Sequence, residues 1–283
     1  MARYDVIAEI AGQIADLLDS GTVPWRRPWR GGALPCNAST GKAYRGINLL
    51  VLGMAHFRGG FVDPRWCTVK QANALGGRII KGSKGTRIVF WKTLEVERDG
   101  ATRRVPLARG YVVFNAEQIE GAELDPLSQP EHVVEPIVEA QRIADGYLAR
   151  GPSITFGAGL AAYSPSTDHV VMPAISDFES AERFYGTLFH ELGHSTGHAS
   201  RLARDLGGLR GDHRYSREEL VAEYTSAFLG GIAGIATADV VEQNAAYLAH
   251  WSSAIRSEPA LLSRACGEAQ RAVDLILASE ASA

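Results

Sequence analysis

Residues 180–198 read SAERFYGTLFHELGHSTGH. Within them, His190, Glu191, Leu192, Gly193 and His194 spell H-E-x-x-H inside a run of helical character. Residues four apart share one face of a helix, so His190 and His194 can grip one metal ion while Glu191 reaches a water bound to it. The spacing predicts a metal site of the zinc type. Ser176 to Glu179 (SDFE) forms a capping-box pattern that would open the helix, and Phe184, Leu188 and Leu192 follow at helical spacing. A metal-free core helix would have to bury two imidazoles and a carboxylate without a charge partner, at a cost of several kcal/mol, which argues for the metal.

A catalytic zinc takes three protein ligands and keeps a fourth position for water, so one more donor is needed. His198 follows His194 by four residues, but Gly197 is where the helix would break. The metzincin pattern H-E-x-x-H-x-x-G-x-x-H fails because its last position is Ser200. Residues 215–229, YSREELVAEYTSAFL, place Glu219 and Glu223 one turn apart on one helix face. They resemble the E-x-x-x-[DE] helix of gluzincin metallopeptidases. That likeness implies Glu219 as the third ligand and Glu223 as the acceptor that orients a ligand histidine. Against this order, Ser216 to Glu219 (SREE) is itself a capping box, and a glutamate that caps cannot bind metal, so Glu223 stays as the alternative ligand.

A divalent ion held there lowers the pKa of bound water towards roughly 7 and polarises a carbonyl. Glu191 is then the general base, and hydrolysis of a peptide bond in a protein or peptide substrate is the expected reaction. The oxyanion donor would be Tyr215, His213 or His198, among which the sequence does not choose. Two histidines and a carboxylate favour zinc, although manganese or nickel can take the same ligands.

The chain has 283 residues, 46% of them hydrophobic, enough for two cores. Its net charge of −3 hides an asymmetry. Residues 1–120 hold 18 Lys and Arg against 10 Asp and Glu, whereas residues 121–283 hold 11 against 22. Within residues 20–92 there are 13 basic residues and one acid, Asp63. Between the halves, EGAELDPLSQPEHVVEP (residues 120–136) has the acids and prolines of a linker. The expected organisation is a basic domain over 1–120, a linker over 121–136 and an acidic domain over 137–283. No apolar run approaches the roughly 20 residues of a membrane span. The amphipathic, acid-bearing N-terminus is unlike a signal peptide, so a cytoplasmic protein with no membrane partner is expected. Cys36, Cys67 and Cys266 are unclustered and imply neither a disulfide framework nor a cysteine metal site.

The first half reads as helices over 4–19 and 47–57, a third capped by Thr68 and Gln71, then strands over 86–97 and 103–116 around Asp99 and Gly100. In the tail, Tyr247, Trp251 and Ile255 and then residues 260–279 have helical spacing. The fold class is α+β. Residues 22–48 interleave Trp25, Trp29 and Tyr44 with Arg26, Arg27, Arg30, Lys42 and Arg45, and Trp66, Lys70, Lys81, Lys84 and Trp91 follow. Aromatic faces beside cations suit single-stranded nucleic acid, with bases stacking on rings and cations tracking phosphates. The competing reading places the tryptophans in a core and the arginines on a solvated surface.

Two motif sets together carry a resemblance over nearly the whole chain. W-x-x-P-W from Trp25 to Trp29, PxNxxTGKxYRGxN over 35–48, WxTxKQ over 66–71 and KGxKG over 81–85 resemble the N-terminal domain of ArdC-type antirestriction proteins. FHELGHxTGHxxRLxRD over 189–205 and YxxEELxAE over 215–223 are similar to that family's zincin-like metallopeptidase domain. The resemblance implies a plasmid or mobile-element protein that binds single-stranded DNA with little sequence preference and protects incoming DNA during conjugation. It adds Asn48 to the DNA-contacting candidates. The family often carries a large aromatic where Ser195 stands, implying a different cleft wall here. The alternative function is a metallopeptidase effector whose basic domain serves for delivery or targeting.

Overall fold

Asp5 opens the first helix by accepting the backbone N–H groups of Ile7 and Ala8, and α1 runs Val6–Asp19 with Ile10, Ile14 and Leu18 on its buried face. This computed structural model describes residues 5–21, 23, 25, 34–98, 101–125, 136–207, 213–235 and 245–278. After β1 (Cys36–Asn37), helix α2 (Ile47–Gly59) is apolar on several sides because it is buried on more than one. Its Leu49, Leu50, Val51 and Met54 enter the main core, whereas Leu52 joins Trp66, Ile88 and Val113 in a smaller cluster. Strand β2 (Arg65–Cys67) leads into α3 (Val69–Ala74), where Thr68 and Gln71 make the expected reciprocal cap.

Strands β3 (Arg78–Ile79), β4 (Thr86–Arg98), β5 (Ala101–Asn115) and β6 (Ile119–Glu120) complete the first half. The long hairpin is continuous in register from Thr86 opposite Val113 to Arg98 opposite Ala101. It forms a sheet in the order β1-β2-β5-β4, while β3 and β6 pair separately. The second half follows with α4 (Pro136–Leu148) and the short strands β7 (Ser153–Phe156), β8 (Ala162–Ser164) and β9 (His169–Met172), ordered β7-β9-β8. Among the described residues four helices follow: α5 (Ala181–Ser195), α6 (His213–Ala233), α7 (Ala245–Ser257) and α8 (Ala260–Leu277). The fold is α+β, and none of the described helices is long and apolar enough to cross a membrane.

Two predicted helix starts are displaced. Ser176 lies in a short 3-10 turn, Ile175–Asp177, in which Asp177 accepts the Ala174 N–H at 3.0 Å. The metal-motif helix opens a turn later, where Ser180 accepts the Arg183 N–H at 3.3 Å. Helix α6 begins at His213, ahead of Ser216, so Glu219 lies inside the helix and is not spent on a cap.

Residues from both halves belong to one apolar core, which takes in α1, Trp25 and α2 together with α4 to α8. Along that contact Arg256 of α7 reaches Asp16 at 2.7 Å and Asp19 at 2.6 Å on α1. Most of the expected linker, residues 126–135, lies outside the described residues.

Candidate functional site

Helices α5 and α6 pack against each other at Gly193. A Cβ there would stand 3.2 Å from both the Ala222 Cα and the Thr225 Cβ, so the glycine of the motif is what lets α6 come this close. The approach brings Glu219 to the two histidines. The Nε2 atoms of His190 and His194 are 3.2 Å apart, and the Glu219 carboxylate lies 3.6 Å from the first and 3.5 Å from the second. Among the described residues these three form the cluster whose donor atoms could hold a metal ion. Around a tetrahedral ion with bonds of about 2.0–2.1 Å, donors stand roughly 3.3 Å apart, so this set fits such an ion with small adjustments. Burial works against a charge on His190, but Glu219, Glu191 and Glu223 outweigh it and hold its pKa up at about 9. The carboxylates around the two histidines make the pocket negative, which suits a cation.

The other nitrogens of the two rings face separate carboxylates. His194 Nδ1 is 3.3 Å from Glu218, and His190 Nδ1 is 3.8 Å from Glu223. Glu218 is gripped by Arg204 through bonds of 2.9 and 2.7 Å. Burial alone would raise the Glu218 pKa, but Arg204 and His194 together bring it below the ordinary carboxylate value. Arg204 also donates to Thr196 Oγ1 at 2.7 Å and to the Gly193 carbonyl at 2.8 Å. Gly197 makes room for it, since a Cβ there would lie 3.0 Å from the guanidinium and 2.5 Å from Leu206. Glu218 and Arg204 fall within the motifs over 215–223 and 189–205, but the sequence assigns them no role. The available signals were the adjacent acids at 218 and 219 and the second arginine after the motif.

Glu191 is buried beside the cluster without belonging to it. His198 lies past the end of α5 and bonds Ser200 at 2.7 Å, away from the ligand role considered for it. The side chains of His213 and Tyr215 lie outside the described residues. Ser195 is fully buried and bonds the Tyr147 hydroxyl at 3.1 Å, so it faces α4 and the expectation that it lines a cleft is corrected.

The residues expected to contact DNA separate into groups. Lys42, Lys70, Lys81 and Lys84 are exposed. Arg26, Arg27 and Trp29 lie outside the described residues. Trp25 is 1% exposed and cannot stack on a base; its indole N–H donates to Glu223 at 3.1 Å instead. Asn48 is likewise committed, donating to the Val89 carbonyl at 2.7 Å and accepting the Val89 N–H at 2.8 Å, which fastens α2 to β4. Tyr44 is half-buried with its hydroxyl 3.3 Å from Asn37, and Arg45 pairs with Asp274 of α8. Three exposed aromatics share the hairpin, Phe90 at 56%, Trp91 at 48% and Tyr111 at 43%, and Phe156 of β7 is exposed as well. The sequence reading already counted Trp91, whereas Phe90 and Tyr111 were hidden, because a half-exposed strand and a core strand share the same apolar residue types.

Residues 4–114 match the ArdcN family, described as the N-terminal domain of anti-restriction factor ArdC, and residues 142–268 match MPTase-PolyVal, a zincin-like metallopeptidase family. Two DNA primases TraC of Escherichia coli are 39% and 40% identical over 96% and 98% of this chain, which spans 27% and 20% of their lengths. The uncharacterized protein y4eC of Sinorhizobium fredii is 35% identical over 99% of this chain and 94% of its own. Crystal structures of the antirestriction protein ArdC from plasmid R388 superpose with TM-scores of 0.77 (metal-free) and 0.80 (Mn(II)-bound). Both are 33% identical and cover at least 98% of each chain. With both halves matched in order, and a solved relative matched along its length, the chain belongs to the ArdC family of antirestriction proteins.

Proposed function

We propose that this chain is a metal-dependent peptidase joined to a single-stranded DNA-binding surface, and that it serves a mobile element by protecting DNA in the cytoplasm. The observation that carries the peptidase reading is the convergence of His190, His194 and Glu219 at the donor separations of a tetrahedral ion. Those residues are the proposed ligands, with zinc favoured by the donor set; the Mn(II)-bound form of R388 ArdC supports manganese as a second occupant. When bound, the ion supplies Lewis acidity at a substrate carbonyl. Glu191 takes a proton from the attacking water as general base. Glu218 and Glu223 fix the tautomers of the two histidines.

The DNA reading is supported by the excess of cations over residues 20–92 and by the exposed Lys42, Lys70, Lys81 and Lys84. Phe90 and Arg109 stand opposite each other on the hairpin, and the Phe90 ring meets Tyr111 edge-on at 5.9 Å. An aromatic pair beside an exposed arginine offers stacking for bases and a contact for phosphate.

The test uses full-length protein, because α1 and Trp25 share the core of the second half. Metal analysis should find about one divalent ion per chain in the wild type and in Glu191→Ala, and little in His190→Ala or Glu219→Ala. Peptide hydrolysis should vanish in Glu191→Ala alone of the metal-replete proteins. A wild type that takes up no zinc or manganese would sink the site.

A further inference from the structure

We infer that Trp25, carried by the N-terminal half, is a positioning residue of the metal centre in the C-terminal half. The inference rests on reading His190, His194 and Glu219 as ligands. A histidine that binds metal through Nε2 keeps its proton on Nδ1 and needs an acceptor for it. His190 Nδ1 is buried and has no hydrogen-bond partner among the described residues. The acceptor facing it is Glu223 Oε1 at 3.8 Å, which has under 1 Å to close.

What aims that oxygen is the indole. Trp25 donates to Glu223 Oε2 at 3.1 Å, leaving Oε1 for the histidine. Both partners are buried, at 1% and 7% exposure, so a carboxylate turned out of this geometry would give up a bond without gaining bulk water. The indole is itself held edge-on to Tyr224 at 4.8 Å and against Trp251 at 5.5 Å. The two histidines are therefore served differently. His194 has Glu218 anchored by Arg204, all within the C-terminal half, whereas His190 has Glu223 anchored from the other half. A neutral donor also leaves the full negative charge of Glu223 to act on His190, which an arginine in that place would offset.

A large buried tryptophan stabilises any core, so stability alone does not test this role. Zinc affinity of the full-length protein, measured by competition with a chromophoric chelator where all variants remain folded, does. Trp25→Phe should weaken zinc binding on the order of ten-fold, and Glu223→Ala at least as much. In the Glu223→Ala background, Trp25→Phe should add nothing. Trp66→Phe is the control: its indole N–H is buried in the smaller cluster without a partner among the described residues, and its loss should lower stability but leave zinc affinity unchanged. Unchanged affinity in Trp25→Phe, or an equal loss with and without Glu223, would overturn the inference. Absence of zinc binding by the wild type would instead overturn the ligand reading, and this inference with it. Should Trp25→Phe not fold, 5-fluorotryptophan can be incorporated into the wild type and its resonances assigned by elimination from the other Trp→Phe variants. The Trp25 signal should then move on adding zinc while that of Trp66 stays, and a stationary Trp25 signal would count against the role.

Discussion

Arg201 shows how a residue outside the motif supports it. Its guanidinium donates to the Ser195 carbonyl at 2.8 Å, at the end of α5, and to Asp168 at 2.9 Å in the turn between β8 and β9. Asp168 also accepts the Tyr163 hydroxyl at 2.9 Å, and hydrogen bonding to Arg201, against some desolvation, holds its carboxyl below the ordinary value of 3.8. A depressed folded-state pKa contributes stability above the unfolded value, and that contribution is lost as pH falls through the folded one. Asn is the suitable replacement, because residue 168 has φ of 48°, which Asn tolerates. Asp168→Asn should cost about 1.5–3 kcal/mol at pH 7, the usual worth of a hydrogen bond to a charged group. Urea unfolding should show this difference from wild type shrinking below pH 3.8, and a difference independent of pH would show that the charge plays no part. At this scale the sequence disclosed His190, Glu191 and His194 through spacing and Glu219 through likeness. It concealed Glu218 and Arg204, whose partners lie 24 and 14 residues away, and it offered Trp25 as a platform because burial is not written in composition.

Between elements, the decisive contact is α5 against α6. The three donors are divided between these helices, so their spacing is the helix separation. Gly193→Ala would set a methyl 3.2 Å from the α6 backbone at Ala222, and α6 must yield by a few tenths of an ångström. We expect a loss of about 1–3 kcal/mol, together with weaker zinc binding by titration calorimetry. Gly12→Ala in α1 has open space around it and should stabilise slightly, separating helix propensity from packing. Full zinc affinity in Gly193→Ala would mean that the donors tolerate a wider pair. The hairpin makes its own prediction. Replacing Phe90 and Tyr111 by Ala should weaken oligo-dT binding by about 1–3 kcal/mol per stacked base in fluorescence anisotropy while leaving its salt dependence alone. Unchanged affinity would exclude this face as the platform. The long hairpin, α1, α2, α3, α7 and α8 were legible because capping, turn and periodic signals agreed. The strands β1, β2, β3 and β6 have two or three residues, too few for alternation to register. In β7 to β9 most positions are half-exposed, and the pattern is correspondingly faint.

Over the whole molecule, charge and packing tell different stories. The sign of the charge changes near residue 120, and sequence alone expects a separation there. The apolar residues instead join in one core, where Ile10, Ile14 and Leu18 of α1 meet Leu248, Trp251 and Ile255 of α7. Such a junction cannot be read from composition, since α1 looks like any amphipathic helix and its partner lies more than 200 residues away. It has a thermodynamic consequence. Ile14 is fully buried, and Ile14→Ala should cost about 2–5 kcal/mol through lost transfer energy and the cavity left behind. If the core is one cooperative unit, that cost falls on the metal centre as well as on the first half. Tryptophan fluorescence and release of bound zinc to a chelator should then shift together to lower denaturant, in a single transition common to both probes. Zinc release that keeps its wild-type midpoint while fluorescence shifts would show that the second half holds its site without α1. The shared core would in that case be a docking surface between units that fold separately.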